Sequence, residues 1–432
     1  MATQKRPLRT KINYDDLVTI LREAFQKIPD HRAANIIHRL PDILMSAFAI
    51  FSLKYPSILC FEQQSDIEKA NLKKLFAIDK LCSDAQMRRV LDELSPQHID
   101  QLCPLLFDKI KRSGTLAPFR FLKRYYLCSI DGTRYFESRK IKCDNCQVIN
   151  HQNGETSYHH AMLAAALVHP NQRDVFPLMS EMIKRQDGNS KNDCELQASK
   201  RLQNKLLEHY QKLSLVIVED ALFANEPHLQ QLIAHNRQFI IGVKPSKNAA
   251  LFKQLHSQLE RGRAHHCILE NNGITQHFYW VNNVPLNNNG NVRISFLNYE
   301  EHYRGKVKKF SWVTSFKLRQ SNVEQIMLGG RARWKIENET FNTLKNQGYH
   351  FEHNYGHGKK HLCDVLAKLM LLAFLTDQMV QATDKLFNNI WTAAKAKKRV
   401  WERIRAIYMI QPIKSFKELF IKLAKIFRVQ LE

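Results

Sequence analysis

Acidic residues at three places along this chain have the side-chain chemistry and the sequence context of a metal site. Asp131 ends the apolar run 125–131, and Asp220 closely follows the continuous apolar run 213–218. Runs of this kind predict buried strands, and open α/β sheets bind their ligands at the ends of such strands. Because an unpaired buried carboxylate is costly, both positions favour a bound cation.

The third acid is expected on a long helix that the sequence predicts over residues 322–346. Glu337 and Glu339 are the candidates there, and Arg333 lies four residues before Glu337, on the same helical face. From that face its guanidinium could contact a phosphate with its fork of donors. Since Glu337 and Glu339 point in different directions on a helix, one site can use only one of them.

Converging carboxylates of this kind favour metal-dependent cleavage of a phosphodiester. Mg²⁺ prefers oxygen ligands. Two ions about 3.5–4 Å apart can stabilise both the attacking and the leaving oxygen. We therefore expect two Mg²⁺ ions at Asp131, Asp220 and the third acid, with Mn²⁺ as a substitute.

The charge of the chain favours nucleic acid as the partner. Among 432 residues, 65 are Lys or Arg and 41 are Asp or Glu, which gives a formal net charge of +24. Such an excess favours an anionic partner, and DNA or RNA gains affinity by releasing counterions. A membrane is disfavoured because the longest apolar stretch, 43–53, is about half the ~20 residues of a spanning helix. The basic N-terminus lacks the apolar core of a signal peptide, so we expect a cytoplasmic protein.

The elements around the acids predict a mixed α/β sheet covered by helices. Asn-Gly turns and alternating apolar residues predict an antiparallel insertion of strands before the long helix. The helical N-terminal region is a candidate for binding DNA ends, with a plain helical scaffold as the alternative. The predicted regions are a helical domain 1–120, a sheet core 121–262, the insertion 263–316, a second part of the core 317–384 and a basic helical tail 385–432.

Basic residues outside the acidic positions are further candidates for nucleic-acid contact. Lys244 follows the apolar run 239–243, and the segment 353–360, which contains His353, Lys359 and Lys360, follows the predicted helix with Glu337. For Lys244 the alternative is a solvated side chain. For the segment it is a simple connection between helices.

The cysteines suggest a second kind of site. The chain has nine, and scattered cysteines in a cytosolic protein are mostly reduced thiols. Cys143 and Cys146, however, form a CxxC pair that is followed by His151, His159 and His160. Structural zinc takes four such ligands, so the candidate set is the two cysteines with His151 and His159, or with His160 in place of His159. A reduced, histidine-rich loop is the alternative that the irregular spacing favours.

Three sequence blocks around the acids resemble those of a known family. They are SIDGTRYF (129–136), VEDALFAN (218–225) and RARWKIENETFNTLKNQGYHFEHNYGHG (331–358). In these blocks, their order and the strand-rich insertion, the chain resembles the DDE-type transposases of bacterial insertion sequences. The resemblance extends over about residues 35–380.

This resemblance implies a fold, a function and residue roles. The fold would be RNase H-like, with Asp131, Asp220 and Glu337 as catalytic metal ligands and Arg333 in contact with DNA. The protein would be a bacterial, nucleoid-associated DNA transposase that cuts the ends of an insertion sequence and transfers them to target DNA. It would act as a homodimer on paired terminal inverted repeats.

The chain departs from one branch of this family at two positions. Gly330 stands where that branch has Tyr, and Leu344 stands where it has Lys. We expect Lys345 to retain the basic DNA contact from a shifted face. Two other functions are compatible with the residues: an inactive or domesticated DNA-binding relative, and a host RNase H-like nuclease.

Overall fold

The computed structural model describes residues 12–33, 35–187, 191–287 and 290–431, without the side chains of residues 191–193. The basic N-terminal segment 1–11, where no signal peptide is expected, lies outside the described residues. Within the described ranges, no helix combines the length and the apolar character needed to cross a membrane.

Helices make up most of the N-terminal and C-terminal parts of the described chain, and further helices lie between the strands. Their bounds are α1 Tyr14–Gln26, α2 Leu40–Ser52, α3 Ile58–Glu62, α4 Asp66–Phe76, α5 Asp84–Asp92, α6 Gln97–Asp100, α7 Leu102–Arg112, α8 Lys191–His209, α9 Glu226–Ala234, α10 Ala249–Glu260, α11 Val323–Arg331, α12 Asn342–Asn346, α13 Leu362–Thr383, α14 Lys385–Ala394, α15 Lys397–Ile410 and α16 Phe416–Ile426. A π-helical turn, Ile336–Phe341, precedes α12. Side-chain caps begin several of them: Ser65 and Glu68 form a reciprocal capping box at α4.

The strands form one ten-stranded sheet in the described part of the chain. Their bounds are β1 Tyr126–Ser138, β2 Gln147–Asn150, β3 Thr156–Val168, β4 Phe176–Ile183, β5 Leu215–Glu219, β6 Gln238–Gly242, β7 His265–Asn271, β8 Ile274–Pro285, β9 Arg293–Tyr303 and β10 Lys306–Thr314.

The order and direction of five strands give the sheet its class. They lie in the order β4-β3-β1-β5-β6. β1, β5 and β6 are parallel, and β3 is antiparallel to its neighbours β1 and β4. This is the arrangement of an RNase H-like sheet, and it confirms the predicted fold class.

The remaining long strands extend the sheet beyond β6. β10 pairs antiparallel with β6, and β9, β8 and β7 follow as an antiparallel meander. The β7–β8 hairpin turns at Asn272 and Gly273, whose φ angles of +51° and +74° suit Asn-Gly. The predicted antiparallel insertion is therefore confirmed.

Strand β1 is longer than its apolar run indicates. It continues past Asp131 to Ser138, because Gly132 to Ser138 still pair with β3. Asp131 therefore lies within the strand, and the prediction that it ends the strand is wrong. The apolar pattern stops early because residues 131–134 are mostly not buried.

The predicted long helix over 322–346 is also corrected. It is interrupted after α11 by a turn at residues 332–333 and then continues through the π-helical turn to α12. α11 packs closely on the sheet, since a Cβ at Gly329 would lie 3.0 Å from the Ile240 side chain of β6. At the interruption, the Ser129 hydroxyl donates to the Arg333 carbonyl at 2.9 Å.

Helix α13 connects the terminal helices to the sheet. It is buried along most of its length, and it packs against α2, α5, α7, α14 and β4. The buried Lys54 ammonium, just after α2, lies 2.7 Å from the Asp377 carboxylate of α13. The N-terminal and C-terminal helices thus share one core with α13, while the domain division given above stays a prediction.

The N-terminus of α13 is capped from a distant helix. The Asp92 carboxylate, at the end of α5, accepts hydrogen bonds from the backbone N–H groups of residues 359–362 at 2.9–3.0 Å. Burial opposes ionisation of Asp92, but these four donors lower the pKa of its carboxyl below the ordinary value. A carboxylate is also favoured by the positive end of the helix dipole.

We expect Asp92→Ala to lower the free energy of unfolding by about 2 kcal/mol, the upper range for loss of a helix cap. Urea denaturation at neutral pH measures this loss. Asp79→Ala is the control, because Asp79 makes an exposed ion pair with Lys73 and should change stability by less than about 0.5 kcal/mol. Equal losses in the two variants would contradict the cap.

The same variant has a predicted pH dependence. The folded-state pKa of Asp92 is lowered, so its contribution is present at neutral pH and is lost as the pH falls through that lowered pKa. The difference in stability between the wild type and Asp92→Ala should therefore shrink below about pH 4.

Candidate active site

Strand pairing brings the first two acids together. Ser129 of β1 pairs with Val218 of β5 in parallel register. Two residues further along both strands, this register brings Asp131 level with Asp220, the first residue after β5. Alternate residues of a strand face opposite sides, and Glu219 accordingly points away and lies 2.6 Å from His228.

The third acid, Glu337, reaches the same place from the π-helical turn. Asp131, Asp220 and Glu337 line one cavity of about 490 Å³, which we call the triad cavity. Its other lining residues are Gly132, Thr133, Arg333, Asn338, Phe341, Asn342 and Lys345. The structure thus places the three acids predicted from the sequence around one space.

The electrostatics of Asp131 show what this arrangement requires. Burial raises the pKa of its carboxyl above the ordinary value, and the charges of Asp220 and Glu337 raise it further. The Arg333 guanidinium and the Gly132 N–H oppose this rise. A bound cation would favour the ionised form of the Asp131 carboxyl. The donor set of the cavity therefore fits divalent cations with oxygen ligands.

The sequence predicted that Arg333 and Glu337 share one face of an α-helix, and the structure differs from this prediction. Arg333 occupies the turn before the π-helical segment, and its guanidinium lies 2.6 Å from the Asp131 carboxylate. Its carbonyl is held by the Ser129 hydroxyl, on the same face of β1 as Asp131. Ser129 is not among the residues predicted from the sequence, although its position two residues before Asp131 places it on that face.

Glu339 is separated from the triad cavity. It does not line that cavity and lies near Lys335 and Lys397. Burial lowers the pKa of both ammonium groups, and the charge of Glu339 partly opposes this effect. The geometry therefore favours Glu337 as the third acid.

A second cavity of about 480 Å³ adjoins the triad cavity, because Asp220 and Arg333 line both. We call it the aromatic cleft. Its basic and aromatic lining residues are Lys244, Phe252, Lys309, Phe310, Trp312, Arg331, Arg333 and Trp334. The Trp334 side chain is exposed, so a flat ligand could reach it from solvent.

The predicted DNA-binding residues fall into two groups. Lys244 lines the aromatic cleft, and Lys345 lines the triad cavity, where its ammonium lies 2.7 Å from Glu352. His353, Lys359 and Lys360 line neither cavity. The Lys360 ammonium pairs with Glu93 at 2.6 Å, and the backbone N–H groups of Lys359 and Lys360 bind Asp92.

The predicted zinc ligands are also divided by the structure. Cys143 and Cys146 lie side by side, with their sulfur atoms 3.8 Å apart. His151 and His159 instead bind the Ser157 hydroxyl, at 2.7 and 2.6 Å. The prediction that these two histidines bind zinc is therefore wrong.

Gly330, the first departure from the family pattern, has a steric cause. A Cβ at this position would lie 2.4 Å from Nε1 of Trp312, a buried indole on β10. The ring thus fills the space that a side chain at position 330 would enter. At the second departure, Leu344 is fully buried, which excludes a charged side chain from that face.

We expect Gly330→Ala to lower the free energy of unfolding by about 1–3 kcal/mol, because the methyl group overpacks this contact. Urea denaturation of Gly330→Ala, Trp312→Leu and the double variant measures the coupling. In the Trp312→Leu background the cost of the methyl group should largely disappear. An unchanged cost in that background would show that the indole does not exclude the side chain.

A protein-family model and a solved structure are similar to this chain. The family model described as Transposase DDE domain matches residues 150–373, just over half of the chain, a range that includes Asp220 and Glu337 and begins after Asp131. One similar solved structure is the piggyBac transposase synaptic complex with hairpin DNA, with 10% identity, a TM-score of 0.40 and coverage of 98% of this chain and 82% of the other. No protein with a curated description matches the chain. Because the family model covers more than half of its length, the chain belongs to the transposase DDE domain family.

Proposed function

We propose that this transposase cuts DNA at the ends of its own element and transfers the freed ends to target DNA, with Asp131, Asp220 and Glu337 as catalytic residues. One observation carries the proposal: acids from β1, from the end of β5 and from the π-helical turn line a single cavity. Three separate elements contribute one carboxylate each, as cleavage of a phosphodiester by two metal ions requires.

The three carboxylates would hold two Mg²⁺ ions, for which Mn²⁺ can substitute. When bound, the ions supply an activated water or 3′-hydroxyl and stabilise charge on the leaving oxygen. Arg333 partly neutralises Asp131 and so reduces the repulsion among the three acids before cations bind. Its planar fork of donors is also suited to a DNA phosphate, as the family resemblance implies.

The aromatic cleft supports DNA as the substrate. It combines Lys244, Lys309 and Arg331 with the exposed ring of Trp334, directly beside Asp220. Basic side chains bind the phosphate backbone and fix its register, and aromatic rings stack on unpaired bases. The net charge of +24 provides the long-range attraction for the polyanion.

The element-specific part of the proposal rests on family membership. We propose that the chain acts as a homodimer that pairs two terminal inverted repeats in the bacterial cytoplasm. Incubation with a supercoiled plasmid that carries these repeats, with Mg²⁺ or Mn²⁺, tests this. Cleavage and joining at the repeats are expected. Binding without cleavage would indicate an inactive relative, and cleavage that ignores the repeats would indicate a general nuclease.

We expect Asp131→Asn to reduce plasmid cleavage by on the order of 10³-fold, because loss of a metal-binding charge removes several kcal/mol of transition-state stabilisation. Binding of the repeat DNA, measured by gel shift in the absence of divalent cations, should remain. Retained cleavage would remove Asp131 from the catalytic residues.

A matched pair of variants tests the third acid in the same plasmid assay. Glu337→Gln should reduce cleavage as strongly as Asp131→Asn. Glu339→Gln, two residues away and outside the triad cavity, should retain most of the activity. The reverse result would reassign the third acid to Glu339.

We expect Lys244→Ala and Lys345→Ala to weaken DNA binding similarly for all sequences and to reduce the slope of log K against log[salt] by about 1 each, as for a lost phosphate contact. Binding titrations across a salt series measure both effects. Lys360→Ala is the matched control, because this lysine lies outside both cavities and pairs with Glu93. A change in slope for Lys360→Ala alone would indicate that the DNA binds near Lys360 and not at the two cavities.

A further inference from the structure

Four side chains with nitrogen or sulfur donors converge away from the triad cavity. Cys143, Cys146, His160 and His357 each place one donor atom within 4.8 Å of the others. The last three residues are buried, and Cys143 is half-buried. In the described part of the chain, no other group of three or more His, Cys, Asp or Glu residues converges in this way.

Five of the six distances between these donor atoms are close to the edges of a zinc tetrahedron, and all six are within 4.8 Å. Zn–S bonds of about 2.3 Å and Zn–N bonds of about 2.0–2.1 Å give edges of about 3.8 Å between sulfurs, about 3.6 Å between sulfur and nitrogen and about 3.3 Å between nitrogens. The sulfur atoms of Cys143 and Cys146 are 3.8 Å apart, and the Nε2 atoms of His160 and His357 are 3.2 Å apart. Three sulfur–nitrogen distances are 3.3–3.4 Å.

The surroundings orient both histidines as zinc ligands. His160 directs Nε2 into the cluster while its Nδ1 lies 3.4 Å from the Asp364 carboxylate. His357 does the same, with Nδ1 2.7 Å from the Gly358 carbonyl. Zinc-binding histidines usually donate their second N–H to a carboxylate or a backbone carbonyl. The Cys143 N–H also points at the Cys146 sulfur, at 3.4 Å, and so can stabilise a thiolate.

From this geometry we propose that Cys143, Cys146, His160 and His357 form a structural zinc site. Two cysteines and two histidines at tetrahedral distances are typical of Zn²⁺ among the metals of proteins. All four positions are filled by protein ligands, so no position is left for a water or a substrate. The site is therefore structural, and it is separate from the oxygen ligands of the triad cavity.

The position of the ligands shows what the zinc connects. Cys143 and Cys146 lie in the connection from β1 to β2, and His160 lies on β3. His357 lies in the segment 347–361, between α12 and α13. The zinc thus holds this segment against β3, the strand that pairs with β1 at Asp131. The same segment follows the helical turns that carry Glu337.

Metal analysis of the full chain, purified without a metal-affinity step, tests the site independently of any activity. We expect one zinc per chain by mass spectrometry of the elements. Replacement by Co²⁺ should give the visible absorption of tetrahedral cobalt with thiolate ligands. Absence of zinc after purification in zinc-containing buffer would overturn the proposal, as would a Cys143–Cys146 disulfide in the intact mass.

Variants assign the four ligands. Cys143→Ser and His357→Ala should lose the bound zinc, while His357→Cys should keep it, because Cys can replace His as the fourth ligand. His151→Ala and His159→Ala are matched controls that should retain one zinc per chain. Zinc retained in both Cys143→Ser and His357→Ala, or lost from the two controls alone, would overturn the assignment.

A release experiment on the wild type keeps the test independent of how the variants fold. A mercurial reagent that modifies thiols should release one zinc per chain, measured with a coloured chelator. Peptide mapping then identifies which cysteines are modified. If zinc is fully released while Cys143 and Cys146 remain unmodified, the zinc lies elsewhere.

Discussion

The parallel pairing of β1 with β5 is the interaction on which the proposed active site depends. It sets Asp131 level with Asp220, and each carboxylate is stabilised by local N–H donors, from Gly132 and Leu222. Burial and mutual repulsion nonetheless raise the pKa of Asp131. The fold therefore holds carboxylates of like charge around one cavity, and the ion pair between Arg333 and Asp131 offsets part of their repulsion.

The chain around Glu337 is held at both ends. Before it, the Ser129 hydroxyl binds the Arg333 carbonyl, so the sheet strand that carries Asp131 also fixes the turn that leads to Glu337. After it, the segment 347–361 is bound by Asp92 through backbone N–H groups, and the proposed zinc site would add a second restraint through His357. The sheet and the N-terminal helices thus share the task of placing one carboxylate.

The corrections to the sequence interpretation have a common physical origin. The apolar pattern ends at Asp131 because the rest of β1 is less buried, yet its backbone continues to pair with β3. A continuous helix over 322–346 has no proline to interrupt it, and its interruption at residues 332–333 lies where the Ser129 hydroxyl of β1 binds the Arg333 carbonyl. In the sequence Gly330 is only a departure from the Tyr of one family branch, whereas the structure shows that the Trp312 ring fills the space a side chain at position 330 would need.

The sequence by itself determined a mixed α/β sheet with a strand insertion, because apolar periodicity and turn motifs depend on neighbouring residues. The family resemblance added the RNase H-like arrangement and the expectation that Asp131, Asp220 and Glu337 are the catalytic acids. The sequence also pointed to Cys143 and Cys146 through their CxxC spacing. It could not identify His357 as their partner, nor separate Lys244 and Lys345 from Lys359 and Lys360. Both assignments depend on contacts between residues that are far apart along the chain. Only the tertiary structure decided them, because packing sets the distances between elements.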